Sequence, residues 1–227
     1  MAQRGPKHHL KRLSAPPVVR VLRKAYTYLL KPRAGPHPLK DSVALGVLLR
    51  DYLGIVQNTR EAKYVLSQGK VKVDNRTIKD LKFPVGYQDY ITIEGDKSYK
   101  VEYSKDGFAL YPVEDTSHKM LKVIRKHKVK GGKLQLTFHD GRTYLTEDNT
   151  IKVGDTVVFD LGEKKIVKVI PQKVDSLCII TTGKHRGIKG RLIAVDHIGG
   201  KKIARLDTPE GEISTDYRYL FFLGDEA

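Results

Sequence analysis

The chain has 227 residues, a formal net charge of +16 and a sequence pI near 9.7, and its length suits one large domain or two to three small ones. Its single cysteine, Cys178, rules out an intramolecular disulfide and is typical of a reducing compartment. No apolar run approaches the roughly 18 residues of a membrane span, and no signal-peptide segment follows the basic N-terminus, so we expect a soluble, intracellular protein.

The N-terminal arm, residues 1–40, differs from the rest of the chain in composition. It contains ten Lys and Arg residues, no Asp or Glu, and six of the ten prolines. A cationic, proline-rich segment buries too little apolar surface to fold alone, and it needs a polyanion to lie against. We therefore predict that the arm has no fold of its own and takes its shape from RNA.

Within the arm, the segment from Val18 to Lys31 has apolar residues at positions 18, 21, 22, 25, 26 and 29. This spacing predicts a short amphipathic helix with a cationic opposite face. The Pro- and Gly-rich residues 32–38 predict a turn or linker after it.

Residues 41–96 have the signals of a small α/β domain. The segment from Ser42 to Tyr52 is rich in Val, Ala and Leu, which favours a helix. A second helix is predicted to begin at Asn58, because Glu61 lies at capping-box spacing from it, and to end at Gly69.

A hairpin is predicted directly after this helix. Residues 70–73 alternate lysine with valine, which is strand periodicity, and Asp74-Asn75 tolerates the positive φ of a tight turn. The return strand begins at Thr77-Ile78, and residues 90–93 predict a further strand.

From about residue 97 the pattern is almost entirely β, with short Val- and Ile-rich strands typical of small barrels. Hairpin turns are predicted at Asp106-Gly107, Gly131-Gly132, Asp140-Gly141, Gly162-Glu163 and Gly199-Gly200. A boundary at residues 171–173 divides this part into a middle β domain (97–173) and a C-terminal domain (174–227).

The predicted helix and hairpin of residues 58–78 carry five cations: Arg60, Lys63, Lys70, Lys72 and Arg76. On a rigid unit they can match the spacing of RNA phosphates, although an ordinary solvated face has the same composition. The unit resembles the S-four-type RNA-binding domain through Asn58-Thr59-Arg60-Glu61-Ala62 and Gly69-Lys70-Val71-Lys72-Val73-Asp74. Asn75 stands where that family commonly has Gly, and Asn tolerates the left-handed conformation.

A glycine-rich cationic loop lies within residues 179–193, between two apolar runs and without an acid from Lys184 to Arg191. Glycines let the backbone approach a ligand closely, and the cations stay exposed around it. A nucleotidase phosphate-binding loop would open a helix with Gly-Lys-Ser/Thr, whereas His185 follows Lys184 and a strand comes next, so we reject that reading. The stretch resembles a KOW motif, which implies a small SH3-like barrel that binds RNA or protein.

Residues 122–133 form a third cationic stretch, with six Lys and Arg and no acid. It fits either a charged edge strand that resists aggregation or an RNA contact. Since the Tyr and Phe residues are scattered along the chain, phosphate contact is favoured over base stacking.

Signals of enzyme chemistry are lacking in the sequence. The eight histidines never pair with Cys or carboxylates at metal-ligand spacing, and the acidic residues mostly flank turns. Cys178 lies in the apolar run 177–180, which predicts a small buried hydrophobe rather than a reactive thiol. We expect no catalytic residues, no metal, no cofactor and no small-molecule substrate.

The order of these segments, with Arg4-Gly5-Pro6-Lys7-His8-His9-Leu10-Lys11-Arg12-Leu13-Ser14-Ala15-Pro16 and residues 219–224, resembles the e-type S-four family of the archaeal and eukaryotic small ribosomal subunit. The resemblance implies an α+β, multidomain, mostly β fold: an extended basic arm, a small α/β S-four-type RNA-binding domain, a middle β-barrel-like domain and a C-terminal SH3-like KOW barrel. It also implies a cytoplasmic structural constituent of the small subunit that binds rRNA and neighbouring ribosomal proteins, supports assembly and translation, and is neither membrane-bound nor a homo-oligomer.

The predicted rRNA contacts follow from the arm, the three cationic stretches and this resemblance. They are Arg4, Lys7, His8, His9, Lys11, Arg12, Arg20, Arg23, Lys24, Arg33, His37, Lys40, Arg60, Lys63, Lys70, Lys72, Arg76, Arg125, Lys126, Lys128, Lys130, Lys184, His185, Arg186, Lys189 and Arg191.

Three other classes of function fit parts of the sequence. A KOW barrel also occurs in transcription factors that act on a polymerase, and an S-four-type domain also occurs in RNA-modifying enzymes, although no catalytic constellation accompanies it here. Electrostatic attachment of the arm to a membrane ranks last, because no lipid anchor adjoins it.

Overall fold

The computed structural model describes residues 9–95 and 97–224 of the chain. Strands hold 44% of the residues and helices 12%, so the prediction of a mostly β protein is confirmed. The chain forms two compact units: the first is Met1–Val101 with Asp106–Glu114, and the second is Glu102–Lys105 with Asp115–Ala227.

Two short strands bring distant parts of the arm together. Strand β1 (Leu10–Lys11) pairs antiparallel with β2 (Tyr28–Leu29), and a 3-10 turn at Arg12–Ser14 follows β1. The helix predicted from Val18 to Lys31 is wrong, because turns, bends and irregular backbone lead to β2 instead.

Hydrogen bonding and side-chain shape explain why this helix does not form. The carbonyl of Val18 accepts a hydrogen bond from the backbone N–H of Phe108 at 2.9 Å, a partner from a distant strand that holds this part of the arm in a non-helical course. Val18 and Val19 are β-branched, which lowers helix propensity. Both are buried, whereas Leu22 of the predicted apolar face is 77% exposed.

The described part of the arm packs against its own unit, so the prediction that the arm has no fold of its own is wrong for residues 9–40. Ala15, Val18 and Leu29 are all at most 6% exposed. Leu29 borders a small space that it shares with Val43 and Val47 of the next segment. The prediction depends on charge and proline content. A few apolar side chains are nevertheless enough to pack the arm where they contact an apolar surface of the same chain.

The following segment alternates short helices with short strands. A 3-10 turn at Leu39–Asp41 leads into β3 (Ser42–Ala44), α1 (Leu45–Val47), a π-helical turn (Leu48–Tyr52), α2 (Thr59–Ser67), β4 (Val71–Val73), β5 (Arg76–Thr77), β6 (Pro84–Gly86), β7 (Tyr90–Ile93), β8 (Ser98–Ser104) and β9 (Gly107–Val113). The helix predicted from Ser42 is right only from Leu45 onward, because Val43 pairs with Val85 in the ladder between β3 and β6.

Helix α2 begins where the sequence predicts. The side-chain oxygen of Asn58 accepts hydrogen bonds from the backbone N–H groups of Arg60 and Glu61, both at 2.9 Å. The Glu61 carboxylate in turn accepts from the backbone N–H of Gln57 at 2.8 Å. Gly69, with φ +76°, takes the left-handed conformation just after the helix.

A five-stranded sheet of order β5-β4-β7-β8-β9 follows α2. The hairpin between β4 and β5 turns at Asp74 and Asn75, with φ 49° and 63°, as predicted. The predicted middle domain includes β8 and β9, but strand pairing, for example Tyr90 with Lys100, joins them to this sheet. The boundary predicted after residue 96 therefore lies too early in the chain.

The second unit contains two antiparallel sheets. Its strands are β10 (His118–Lys128), β11 (Leu134–Phe138), β12 (Thr143–Thr146), β13 (Thr156–Asp160), β14 (Ile166–Ile170), β15 (Leu177–Ile180), β16 (Lys189–Ile198), β17 (Lys201–Thr208), β18 (Gly211–Asp216) and β19 (Leu220–Phe222). The sheet orders are β12-β11-β10-β13-β14 and β18-β17-β16-β15-β19. All five predicted hairpin turns connect strands that follow one another in the chain.

Each sheet of the second unit has an apolar core. Leu121, Leu136 and Phe138 are at most 1% exposed in the first sheet. Cys178 and Phe222 belong to a buried cluster in the second. These cores fix the positions of the strands from which the cationic loops extend.

Candidate nucleic-acid interface

The exposed cations of the arm are spread along its described length. The backbone N–H of Arg20 donates to the hydroxyl of Tyr52 at 2.7 Å, which anchors the arm and leaves the Arg20 side chain exposed. Six predicted contacts are exposed: His9, Lys11, Arg20, Lys24, Arg33 and Lys40. Three further ones lie outside the described residues: Arg4, Lys7 and His8.

Two other predicted contacts of the arm are engaged by the protein itself. Arg12 is 5% exposed, its guanidinium lies 3.6 Å from a carboxylate oxygen of Asp51, and it sits 5.4 Å from the ring centre of Tyr26. Arg23 donates to the backbone carbonyl of Ala15 at 2.8 Å. Composition alone could not separate these side chains from the exposed cations of the arm.

His37 is buried, so its prediction as an rRNA contact is wrong. Its Nε2 lies 2.9 Å from a carboxylate oxygen of Asp89, and the two side chains are 3% and 2% exposed. Asp89 also accepts the backbone N–H of Gly86 at 2.8 Å. The imidazole is a structural group inside the first unit.

One face of α2 and the following hairpin is cationic and exposed. Val71 and Val73 of β4 are buried, which turns the side chain of Lys72 toward solvent. Ala62 and Leu66 bury the opposite face of α2. All five predicted contacts of this α2–hairpin face are exposed: Arg60, Lys63, Lys70, Lys72 and Arg76.

Strand β10 carries the third cationic stretch but is not an edge strand, since β11 and β13 flank it. Arg125, Lys128 and Lys130 are exposed. Lys126 differs, because its ammonium donates to the backbone carbonyls of Asn149 and Ile151, both at 2.8 Å. It fastens β10 to the segment before β13 and is not a free cation.

The loop before β16 presents its cations around one tightly constrained glycine, Gly187. Lys184 and Lys189 are exposed, whereas His185 and Arg186 are partly buried. Gly187 has φ +83°, and an added Cβ there would lie 2.7 Å from the carbonyl carbon of Ser104. Strand β16 opens at Lys189, so rejecting the nucleotidase phosphate-binding loop is confirmed.

Arg191, the last predicted contact of this loop region, makes an exposed ion pair. Its guanidinium lies 3.6 Å from a carboxylate oxygen of Asp175, and the side chains are 60% and 80% exposed. Such a pair adds little stability. The Arg191 guanidinium can therefore leave Asp175 and pair with another anion at little cost in free energy.

Two lysines of β10 have roles that the sequence analysis missed. Lys119 is fully buried 3.4 Å from a carboxylate oxygen of Asp140. Lys122 donates to the backbone carbonyls of Arg218 and Leu220 at 2.9 and 2.6 Å, and burial lowers its pKa to about 8. Strand alternation was the missed signal for Lys119, because it shares its face with the buried Leu121.

The described part of the chain also bears on metal binding, membrane insertion and thiol chemistry. No group of three His, Cys, Asp or Glu residues there is placed to hold a metal ion. No helix within those residues is long and apolar enough to cross a membrane. Cys178 is fully buried and burial raises its pKa to about 12, which confirms the small buried hydrophobe.

Comparison with known proteins identifies the family of this chain. The small ribosomal subunit protein eS4 of Methanocaldococcus jannaschii is 36% identical to this chain over 238 residues, covering 100% of the chain and 98% of that protein. The chain belongs to the S4e family of ribosomal proteins. The eS4 protein of Methanocella arvoryzae is 37% identical over 224 residues, or 97% of the chain and 95% of that protein. The resemblance to the e-type S-four family is thereby confirmed.

Family models and a solved structure agree with this assignment. The Ribosomal family S4e model matches residues 95–166, and the RS4NT (NUC023) domain model matches residues 4–40. The crystal structure of the S4e protein of the 30S subunit from Thermoplasma acidophilum superposes with a TM-score of 0.71 at 35% identity, covering 82% of this chain and 96% of that one. The S4e fold therefore extends through most of the chain.

Proposed function

We propose that this S4e-family chain is a structural constituent of the small ribosomal subunit that binds rRNA and supports subunit assembly and translation. The supporting observation is identity of 36% across the whole chain to a protein named for the small subunit. The proposal includes no catalytic step: the chain acts by binding RNA, with its cationic surfaces facing phosphates.

The exposed cations supply the affinity for rRNA. Each Lys or Arg that neutralises a phosphate releases condensed counterions, so binding strengthens at low salt. The α2–hairpin face holds its cations on a capped helix and a tight hairpin, which fixes their spacing before RNA arrives. The described arm adds further exposed cations to a segment that already packs on its own unit.

The finer domain layout is part of this proposal. We assign an S-four-type RNA-binding domain to the first unit after the arm, and a KOW-type SH3-like barrel to the sheet of β15–β19. The constrained loop at residues 181–191 then lies at the barrel's RNA- or protein-binding edge. Neighbouring small-subunit proteins are the proposed protein partners, with one copy of the chain per cytoplasmic subunit.

Gradient sedimentation of a lysate tests the proposal. The native chain should migrate with the small subunit, and it should remain there after the two subunits are separated at low magnesium. Migration with RNA polymerase would contradict the proposal and favour the transcription class. Migration at the top of the gradient would contradict both.

A direct binding measurement complements the gradient. The purified chain should bind small-subunit rRNA with an affinity that falls about 10³- to 10⁵-fold between 50 and 200 mM salt, if six to ten phosphates are contacted. A structured RNA of equal length from outside the ribosome is the control. Incubation that produced modified nucleosides in the rRNA would instead support an RNA-modifying enzyme.

A further inference from the structure

A pocket of about 790 Å³ lies within the first unit, and its role is not explained by the exposed cationic faces. Its lining combines Arg12 and residues 26–28 of the arm with Arg50, Asp51 and residues leading into α2. The volume is in the range of pockets that hold small ligands. The chemistry of the lining indicates which ligand.

The pocket has an excess of positive charge. Arg50 donates to both carboxylate oxygens of Asp51, at 2.8 and 3.0 Å, and the guanidinium of Arg12 lies 3.6 Å from the same carboxylate. Two guanidinium groups therefore share the one carboxylate among the described lining residues. The Nε of Arg12 is buried and has no hydrogen-bond partner in the described part of the chain. A second anion beside these guanidinium groups would supply the missing negative charge.

Aromatic rings lie beside these arginines. Tyr26 is 73% exposed and Tyr28 is 57% exposed, although both line the pocket. The ring of Tyr28 lies 5.4 Å from the ring of His9, and the guanidinium of Arg12 lies 5.4 Å from the ring centre of Tyr26. Exposed rings next to cations are the arrangement on which proteins stack unpaired nucleobases.

The first turn of α2 completes the pocket. Asn58 and Thr59 line it, and the Thr59 hydroxyl accepts a hydrogen bond from Arg50 at 3.2 Å. The N-terminus of this nine-residue helix carries partial positive charge, and its first N–H groups already donate to the Asn58 side chain, so it adds only a long-range attraction for a phosphate. Two features, namely the pair of arginines that shares one carboxylate and the exposed tyrosines, thus point to one ligand.

We propose that this pocket binds a single unpaired nucleotide of RNA. Its phosphate lies at Arg12, Arg50 and the start of α2, and its base stacks on Tyr26 or Tyr28. The inference rests on the proposed rRNA binding and deepens it, because it adds a site that distinguishes single-stranded RNA from duplex. A paired base cannot leave its helix to reach the tyrosines without the cost of unstacking.

Fluorescence anisotropy of the full chain with two labelled RNAs, a single-stranded oligouridylate and a duplex of equal length, tests the inference. Tyr26→Ala with Tyr28→Ala should weaken binding of the single strand by roughly 5- to 150-fold, which corresponds to the loss of one stacked base. Duplex binding should stay within about twofold, because it depends on phosphate contacts. Tyr111→Ala is the matched control, since Tyr111 is 48% exposed on β9 and is not among the described lining residues.

Ultraviolet crosslinking of the unaltered chain to small-subunit rRNA, mapped by mass spectrometry, keeps the test valid if the double variant unfolds. We expect crosslinks at Tyr26 or Tyr28. Crosslinks confined to other residues, or a double variant that binds the single strand as well as its parent, would overturn the pocket while leaving rRNA binding intact. A parent chain that binds no rRNA at all would overturn the proposed function and the pocket together.

Discussion

His37 fills the space beside Gly86 so closely that a Cβ added to Gly86 would lie 2.5 Å from the imidazole Cγ. The same imidazole contacts Asp89 at 2.9 Å, and Asp89 accepts the backbone N–H of Gly86. Three residues from two segments of the first unit therefore form one buried arrangement. A histidine that composition assigns to an RNA-binding arm instead joins that arm to the strand β6.

His37→Ala should lower the free energy of unfolding by about 3 kcal/mol, because it takes a hydrogen-bond partner from the buried Asp89 carboxylate and leaves a cavity. Gly86→Ala should also destabilise the protein, since the added methyl group collides with the ring. The double variant should be more stable than the sum of the single effects predicts, because the methyl group then enters the vacated space. Urea unfolding of the four proteins measures this coupling. His127→Ala, at an exposed histidine of β10, is the control, and strictly additive effects would contradict the arrangement.

Packing of the arm predicts a contrast between two of its apolar residues. Val18 is 2% exposed and Leu22 is 77% exposed. Val18→Ala should cost about 2 kcal/mol of stability, from reduced burial and a residual cavity, whereas Leu22→Ala should change stability by less than about 0.5 kcal/mol. Unfolding is measured on the purified chain without nucleic acid. Equal stability of Val18→Ala and the parent would show that the arm is not packed in solution.

The sequence predicts the structure correctly where local signals determine it. The cap at Asn58, the turn at Asp74-Asn75 and the hairpins of the β region all follow from short-range preferences of one or two residues. The arm depends instead on contacts distant in the chain, such as the bond between Val18 and Phe108. No periodicity within the arm reveals such a partner.

The same division applies to the candidate interface. Strand and helix periodicity predicted the exposure of Arg60, Lys63 and Lys72, because buried neighbours fix the direction of each side chain. It could not reveal that Lys126 binds carbonyls of a different segment. A lysine in a cationic run looks the same in sequence whether its ammonium meets water, RNA or the protein backbone.

The α2–hairpin face should contribute to rRNA binding through charge. Arg60→Ala with Lys63→Ala should reduce affinity and lower the slope of log K against log salt concentration by about 0.7 to 0.9 for each phosphate that the variant no longer neutralises. Thermal unfolding should change little, because both side chains are exposed. Lys164→Ala with Lys173→Ala removes two exposed charges from the second unit and is the matched control. The same slope for both double variants would remove this face from the binding site.

Lys122 should make the stability of the second unit depend on pH in the alkaline range. Burial lowers the Lys122 pKa from 10.5 to about 8, so between those values the unfolded chain binds more protons than the folded chain. Stability contributed by this group therefore rises as pH increases from about 8 to 10.5, by at most about 3 kcal/mol at 1.36 kcal/mol per pKa unit.

Lys122→Met removes this titration, so the parent should gain stability relative to the variant across that window in urea unfolding. Lys128→Met, which removes an exposed ammonium from the same strand, controls for the general loss of positive charge. A parent-to-variant difference that stays constant over the window for Lys122→Met would mean that the ammonium between Arg218 and Leu220 is well solvated, and that the two carbonyl contacts do not enclose it.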